Sequence, residues 1–299
     1  MNLAKIPCAA NAAAFVRNAT AYSRLVKLEH TLFALPFALS ALCLASYCGY
    51  SAGVAKILLC VAAFACARAA AMGFNRLADI KYDAKNPRTK MRPSVTGEIS
   101  PKAAAAFTAI FAAGFCACAY FINLACFYLS FPALAVILGY SYAKRFTCAA
   151  HYILGLALAL APAGAWIAAA DSFDPRILSL SGALFFSIAA FDIIYALQDI
   201  DFDRSENLHS IPAALGKNGA IIVAGISFAA AAALFFAAGA LFGLGGCYFL
   251  CAAVITLLYI LGICAVVFGG DAFVNAVFFY INVASGWLGF FGIACQLAL

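Results

Sequence analysis

Charge is scarce in this chain. Asp, Glu, Lys and Arg make up 10% of 299 residues and hydrophobic residues 67%, whereas soluble domains carry roughly 25% charged residues. The shortage excludes a soluble enzyme and leaves no stretch from which a separate soluble domain could be formed. Histidine is also scarce, at three residues. The thirteen cysteines include no CxxC pair, Cys116 and Cys118 being the closest two. They read as small apolar residues of a chain kept from oxidation, not as zinc ligands or a disulfide framework. No run of basic residues interleaved with aromatics lines up as a groove for nucleic acid, so that partner is excluded. Met1 to Thr20 is too polar and broken for a signal peptide, and reads as a surface helix or a frayed end.

What is abundant is apolar length, with a mean hydropathy of +1.02. A crossing needs about 20 mostly apolar residues, and nine are expected on that count. They run from about Thr31 to Tyr50, Val54 to Asn75, two within Pro101 to Tyr142 turning near Asn123, Tyr152 to Ala170, Ile177 to Leu197, Ala220 to Phe242, Gly246 to Phe268 and Ala272 to Leu297. The expected fold class is an all-α membrane protein with one transmembrane domain over residues 23–299, preceded by a surface segment over 1–22. With the N-terminus inside and an odd number of crossings, all of the eighteen Lys and Arg except Lys56, Arg68 and Arg176 fall on the cytoplasmic side. That is the asymmetry expected of a multi-pass protein of a cytoplasmic (inner) membrane. It places two long polar loops, after the second and sixth crossings, on one face.

The first loop opens NRLADIKYDAKNPRTKMRPSVTGE, from Asn75 to Glu98. Asn75, Asp79 and Asp83 are four apart and share a face if the helix continues. Lys85, Arg88 and Arg92 follow. Carboxylates beside cations suit a polyphosphate bound with Mg²⁺, the metal taking one or two carboxylates and the cations taking the remaining phosphate oxygens. A solvated basic loop that only fixes topology fits this stretch equally well. The second loop begins with YALQDIDFD, where Asp199 and Asp203 are four apart and Asp201 stands between them. Acidic residues contribute little to orientation, and like charges gathered so closely repel unless positive charge sits among them. Bound Mg²⁺ would supply that charge. Pairing of the aspartates with Lys85, Arg88 and Arg92, clamping the two loops together, would supply it too.

NRLADIKYD resembles the first aspartate-rich motif, NDxxDxxxD, of the UbiA superfamily of intramembrane prenyltransferases, and YALQDIDFD resembles its second, YxxxDxxxD. The resemblance extends from about Arg24 to the end of the chain. One departure matters: Arg76 stands where the family has an aspartate, leaving Asn75, Asp79 and Asp83 for the first metal site. The resemblance implies a nine-helix bundle around a lipid-accessible cavity with a cytoplasmic cap. It implies Mg²⁺ as cofactor, held by Asn75, Asp79, Asp83, Asp199 and Asp203, with a polyprenyl diphosphate and an aromatic carboxylic acid as substrates and membrane lipid as surroundings. Asp79, Asp83, Asp199, Asp203 and Tyr195 are the catalytic candidates, and Lys85, Arg88 and Arg92 the diphosphate ligands; Tyr195, the motif tyrosine, could equally be a packing residue. The implied reaction belongs to quinone biosynthesis. The NRLADxxxD and LHSIP forms resemble menaquinone-route relatives that use 1,4-dihydroxy-6-naphthoate, and the wider family is associated with 4-hydroxybenzoate.

Charges beneath the loops extend this set. Arg68 and Asp192 each lie seven residues, about 10 Å, inside the membrane from Asn75 and Asp199. Ionisable residues at such depth are by default functional or paired; the matched depths suggest an Arg68–Asp192 contact, and each residue facing water or a backbone carbonyl separately fits equally well. Arg24, Lys27 and His30 share a face before the first crossing and could take an acceptor's carboxylate; an anchoring role fits each singly. His209 is a further acceptor candidate, or satisfies backbone groups in its loop. Lys144 and Arg145 read as topology anchors. A transporter or lipid-binding protein that carries polyprenyl phosphates without chemistry is the alternative reading, since the two motifs form a faint pseudo-repeat.

Overall fold

The computed structural model describes residues 20–27 and 32–297. A short helix over 20–26 is followed by α1 (Leu35–Tyr47), α2 (Val54–Ala78), α3 (Pro101–Ile122), α4 (Leu124–Gly139) and α5 (Ala150–Ala170). Then come α6 (Ile177–Tyr195), α7 (Ile211–Phe242), α8 (Gly246–Gly269) and α9 (Asn282–Ala294), with one-turn helices and 3₁₀ turns between some of them. No strand occurs among the described residues. Capping chemistry in the sequence sets several starts. Ser100 and Ser210 each accept a hydrogen bond from the backbone N–H three residues on, with proline in the first turn of the helix that follows.

Seven segments are long and apolar enough to cross a membrane. The expected count of nine differs at two places. The first expected crossing contains α1, whose 13 residues span only about 20 Å; residues 28–31 lie outside the described part. At the other end, Gly246–Leu297 forms a single segment of 52 residues, in which α8 stops at Gly269, Gly270 turns the backbone at φ 67°, ψ −154°, and the turns Gly270–Phe273 and Val277–Ile281 lead into α9. The expected surface segment lies mostly outside the described residues. The part that is described is tied down: Ala21 and Leu25 are buried against Ile99 and Ala104, and Tyr22 stacks on Phe107.

Helix α6 is the most deeply buried segment, 72% of its apolar window lying inside the protein. Its sequence, ILSLSGALFFSIAAFDIIY, is small or apolar on every side, the pattern of a central helix. It packs on α5 and α7. Apolar collapse adds little between helices in lipid, so close backbone approach must supply the contact energy. Gly155 of α5 permits it: a Cβ there would stand 2.4 Å from the Phe185 carbonyl oxygen of α6. At the end away from the two loops, Asn123 caps α4 and donates to the Asp171 carboxylate at 2.7 Å, and Lys56 reaches the same carboxylate at 2.9 Å. Those contacts tie the starts of α2 and α4 to the end of α5.

Gly155→Ala is expected to lower stability by about 1–3 kcal/mol, the range for overpacking, because a backbone carbonyl cannot move aside as a side chain can. Thermal unfolding of the detergent-solubilised protein, compared with Gly164→Ala, where a Cβ meets open space, checks this.

Candidate active site

The two aspartate motifs meet at one cavity of about 260 Å³. Helix α2 stops at Ala78, and Asp79 leaves helical geometry at φ −99°, ψ 5°, before one further turn, Ile80–Asp83. The i→i−4 bonds nevertheless continue, Asp79 N–H to Asn75 O at 3.0 Å and Asp83 N–H to Asp79 O at 2.8 Å. The fourfold spacing therefore keeps its meaning across the break. Helix α6 ends in the same manner: a 3₁₀ turn, Ala196–Asp199, then Asp199 at φ −110°, ψ 10°, then the turn Ile200–Ser205. Asn75, Asp79, Asp83, Asp199 and Asp203 all line the cavity.

Each of the four motif aspartates is paired with a cation from elsewhere in the chain. Arg92 Nη1 donates to both oxygens of Asp83 at 2.6 Å, and Arg76 Nη1 stands 3.8 Å away. Arg88 bonds both oxygens of Asp199, its Nε at 3.1 Å, and its Nη1 donates to the Tyr195 hydroxyl at 2.8 Å. Asn86 donates to Asp199 at 3.2 Å. Lys144 lies 3.5 Å from Asp203 and Arg145 lies 3.4 Å from Asp79. Arg145 is itself held over the rings of Tyr142 and Tyr82, at 4.6 and 5.3 Å, and donates to the last carbonyl of α2. Burial, with the neighbouring Asp83 charge, pushes the Asp79 carboxyl above its usual range against the pull of Arg145. Burial opposes the Arg88 charge, but Asp199 more than offsets it and holds that guanidinium above its usual range.

The cavity presents more positive charge than these pairs consume. Arg68 Nε, Arg76 Nη1 and Arg145 Nε, with Ser141 Oγ and Asn282 Nδ2, are buried, belong to lining residues and have no hydrogen-bond partner among the described residues. Buried polar groups are rarely left unbonded, so five of them around one space mark a place built for a polar ligand, and three guanidinium donors mark it as anionic. The carboxylate and amide oxygens of the motifs are the hard donors Mg²⁺ takes. No group of three or more His, Cys, Asp or Glu residues that could hold a metal occurs among the described residues. That suits an ion sharing one or two carboxylates with the phosphates of a substrate, and does not suit an all-protein cage.

Several expectations are corrected. Asp192 does not meet Arg68: its carboxylate is bonded by His151 Nδ1 at 2.7 Å, because α5, which carries His151, packs directly on α6. Both Arg68 and Asp192 do line the cavity, as do Lys27, Arg88, Arg92 and Tyr195. Lys85, Arg24 and His209 do not. Lys85 is at the rim, 2.6 Å from Glu206. Arg24 is paired with Glu98. His209 donates its backbone N–H to the Lys144 carbonyl, which serves the loop and leaves the ring outside the lining. His30 lies outside the described residues. Lys144 and Arg145, read as anchors, bond motif aspartates instead. His151, Asn86, Tyr140 and Asn282 went unmarked; Asn86 lies within the polar run and could have been included, whereas the other three carry no local signal.

A family model described as "UbiA prenyltransferase family" matches residues 34–277. The 4-hydroxybenzoate octaprenyltransferase of Pseudomonas syringae pv. syringae is 30% identical over 183 residues, a match covering 61% of this chain and 62% of that protein's length. The apo structure of a UbiA homolog from Aeropyrum pernix K1 is 35% identical with a TM-score of 0.82, covering 90% of this chain and 98% of that one. A UbiA homolog from Archaeoglobus fulgidus, solved bound to GPP and Mg²⁺, shares the fold at a TM-score of 0.71 and 23% identity, over 92% of this chain and 99% of that one.

Removing one member of a largely buried ion pair leaves a charge without compensation. Arg92→Met should therefore cost about 3 kcal/mol, and Arg92→Met with Asp83→Asn should cost less than Arg92→Met alone. Unfolding temperatures of the two variants in the same detergent check the ordering.

Proposed function

Because the chain belongs to the UbiA prenyltransferase family, we propose that it transfers a polyprenyl group from its diphosphate to an aromatic carboxylic acid, with Mg²⁺ as cofactor. The observation that carries this is the set of unpartnered guanidinium donors in a cavity that also collects both aspartate motifs. The names of relatives add support: 4-hydroxybenzoate octaprenyltransferases among the sequence matches, and a fold neighbour holding GPP and Mg²⁺. The sequence matches span about three fifths of those relatives' length, so the activity remains our reading of this chain's own residues.

Asn75, Asp79, Asp83, Asp199 and Asp203 would hold the metal, which when bound acts as a Lewis acid on the diphosphate. Arg88 and Arg92, now turned to carboxylates, are placed to turn to phosphate oxygens once the aspartates bind metal. Arg76 stands where the family has an aspartate; its free Nη1 makes it a phosphate ligand in place of a metal ligand. Together these cations stabilise the negative charge that develops as the allylic C–O bond breaks. Tyr195, whose ring lies 4.3 Å from that of Phe278, faces the same space and offers a π surface to the allylic cation. Phe33, Leu154, Leu158 and Ile188 continue the lining as an apolar wall for the prenyl tail and keep water from the cation. Deeper in the cavity, Arg68 is the donor for the acceptor's carboxylate, with Lys27 also in the lining.

With α1 and the two halves of Gly246–Leu297 counted as separate crossings, the chain would cross nine times, with the N-terminus and both motif loops cytoplasmic. The relatives' names favour 4-hydroxybenzoate as acceptor, while the LHSIP form still admits 1,4-dihydroxy-6-naphthoate. Supplying purified protein with geranyl diphosphate, Mg²⁺ and both acceptors, and identifying products by mass spectrometry, decides between them. Binding of geranyl diphosphate without release of diphosphate would favour a carrier.

Asp79→Ala and Asp203→Ala are each expected to lower transfer by at least about 10²-fold, the scale of a lost electrostatic group at a reacting centre, in protein that still folds. Chelation of Mg²⁺ should abolish transfer reversibly. Full activity in either variant, or in the chelated enzyme, would refute the assignment.

A further inference from the structure

Five aspartates line the cavity, and one differs from the others. Asp79, Asp83, Asp199 and Asp203 are each paired with Arg or Lys. Among the described residues the only ion-pair partner of Asp192 is His151. That histidine is fully buried at the start of α5. Its Nε2 lies 3.3 Å from the backbone N–H of Ile211, the first residue of α7, and can only accept there. The ring's single proton is therefore on Nδ1, donated to Asp192 at 2.7 Å, and the ring is neutral. One carboxylate oxygen of Asp192 is fixed by this bond, while the side chain remains 23% exposed to the cavity.

From this arrangement we propose that Asp192, oriented by His151, is the base that takes the proton lost by the aromatic ring when it is prenylated; this rests on the prenyl-transfer reading above. Position and chemistry both single it out. Asp192 lies two helical turns below Asp199, about 10 Å, and so below the diphosphate, at the depth of Arg68. Each of the four motif aspartates already faces an Arg or Lys and belongs to the set that would hold the metal, whereas no Arg or Lys is bonded to Asp192 among the described residues. His151 has no exposed surface and is a positioning residue. A base within reach of its proton and itself held by a third group is the arrangement proton transfer requires.

In the reaction the allylic C–O bond breaks and its electron pair leaves on the diphosphate. A ring carbon beside the hydroxyl supplies the pair for the new C–C bond. The C–H bond at that carbon then breaks, its electrons restore the aromatic ring, and the proton passes to the free oxygen of Asp192. From there it leaves to water with the product.

The test uses the full chain in detergent with Mg²⁺, geranyl diphosphate and 4-hydroxybenzoate, the latter unlabelled or deuterated beside the hydroxyl. Asp192→Asn should slow transfer by about 10²-fold or more, as loss of a general base does, leave the KM for geranyl diphosphate unchanged, and expose a primary deuterium isotope effect larger than in the wild type. Asp192→Ala should regain turnover on addition of formate, a small carboxylate. His151→Asn, which keeps a donor at the Nδ1 position, should retain more of kcat than His151→Leu, and this pair carries the test if the Asp192 variants do not fold. Near-wild-type turnover in Asp192→Asn would overturn the proposal. So would slow turnover with no isotope effect and no formate rescue, or equal loss in both His151 variants. Absence of any prenylated product from the wild type would instead overturn the prenyl-transfer reading itself.

Discussion

Four carboxylates around one cavity can be withdrawn from water only against an equal supply of positive charge. Desolvating a carboxylate costs several kcal/mol, and only a well-placed cation and further hydrogen bonds recover it. That constraint explains why the loop after α2 folds as it does. Residues 84–100 form no helix, yet Arg88 reaches across to Asp199 and Arg92 turns back to Asp83. Lys144 and Arg145, at the end of α4, complete the balance at Asp203 and Asp79. The cap over the cavity is in this sense a set of counter-ions, and helices α2, α4 and α6 are held in register by it.

The two motif helices break in the same way. Asp79 and Asp199 have nearly the same backbone angles, φ −99°, ψ 5° and φ −110°, ψ 10°, and each is followed by about one turn that carries the second aspartate. Such a break turns the last turn of each helix while keeping the fourfold spacing that puts both side chains over the cavity. The arrangement also leaves surplus positive charge. Arg68, Arg76 and Arg145 retain unbonded buried donors, a cost that a bound anion removes. The proposed diphosphate answers it at the mouth and an acceptor carboxylate at depth. Asp192 is then the one carboxylate lining the cavity that is held by a histidine and not by an Arg or Lys among the described residues.

Much of this was legible in the order of residues. Apolar length placed α2 to α6 and α8 to within a few residues, since a crossing must satisfy its own backbone and so shows as an unbroken run. The aspartate motifs were legible because their spacing matches the helical repeat. Boundaries failed where no such constraint acts: α1 is shorter than its apolar run, α7 starts at Ile211 and not at Ala220, and α9 starts at Asn282, after 3₁₀ and π turns, and not at Ala272.

What the sequence by itself determined was the membrane class and which residues stand at helix ends, properties that follow from composition and local periodicity; the family was legible only through the resemblance of its two aspartate motifs. Which cation meets which carboxylate was decided by tertiary structure alone. Depth along a helix suggested Arg68 for Asp192, but depth says nothing of direction around the bundle. Close packing of α5 on α6, through Gly155, put His151 there instead.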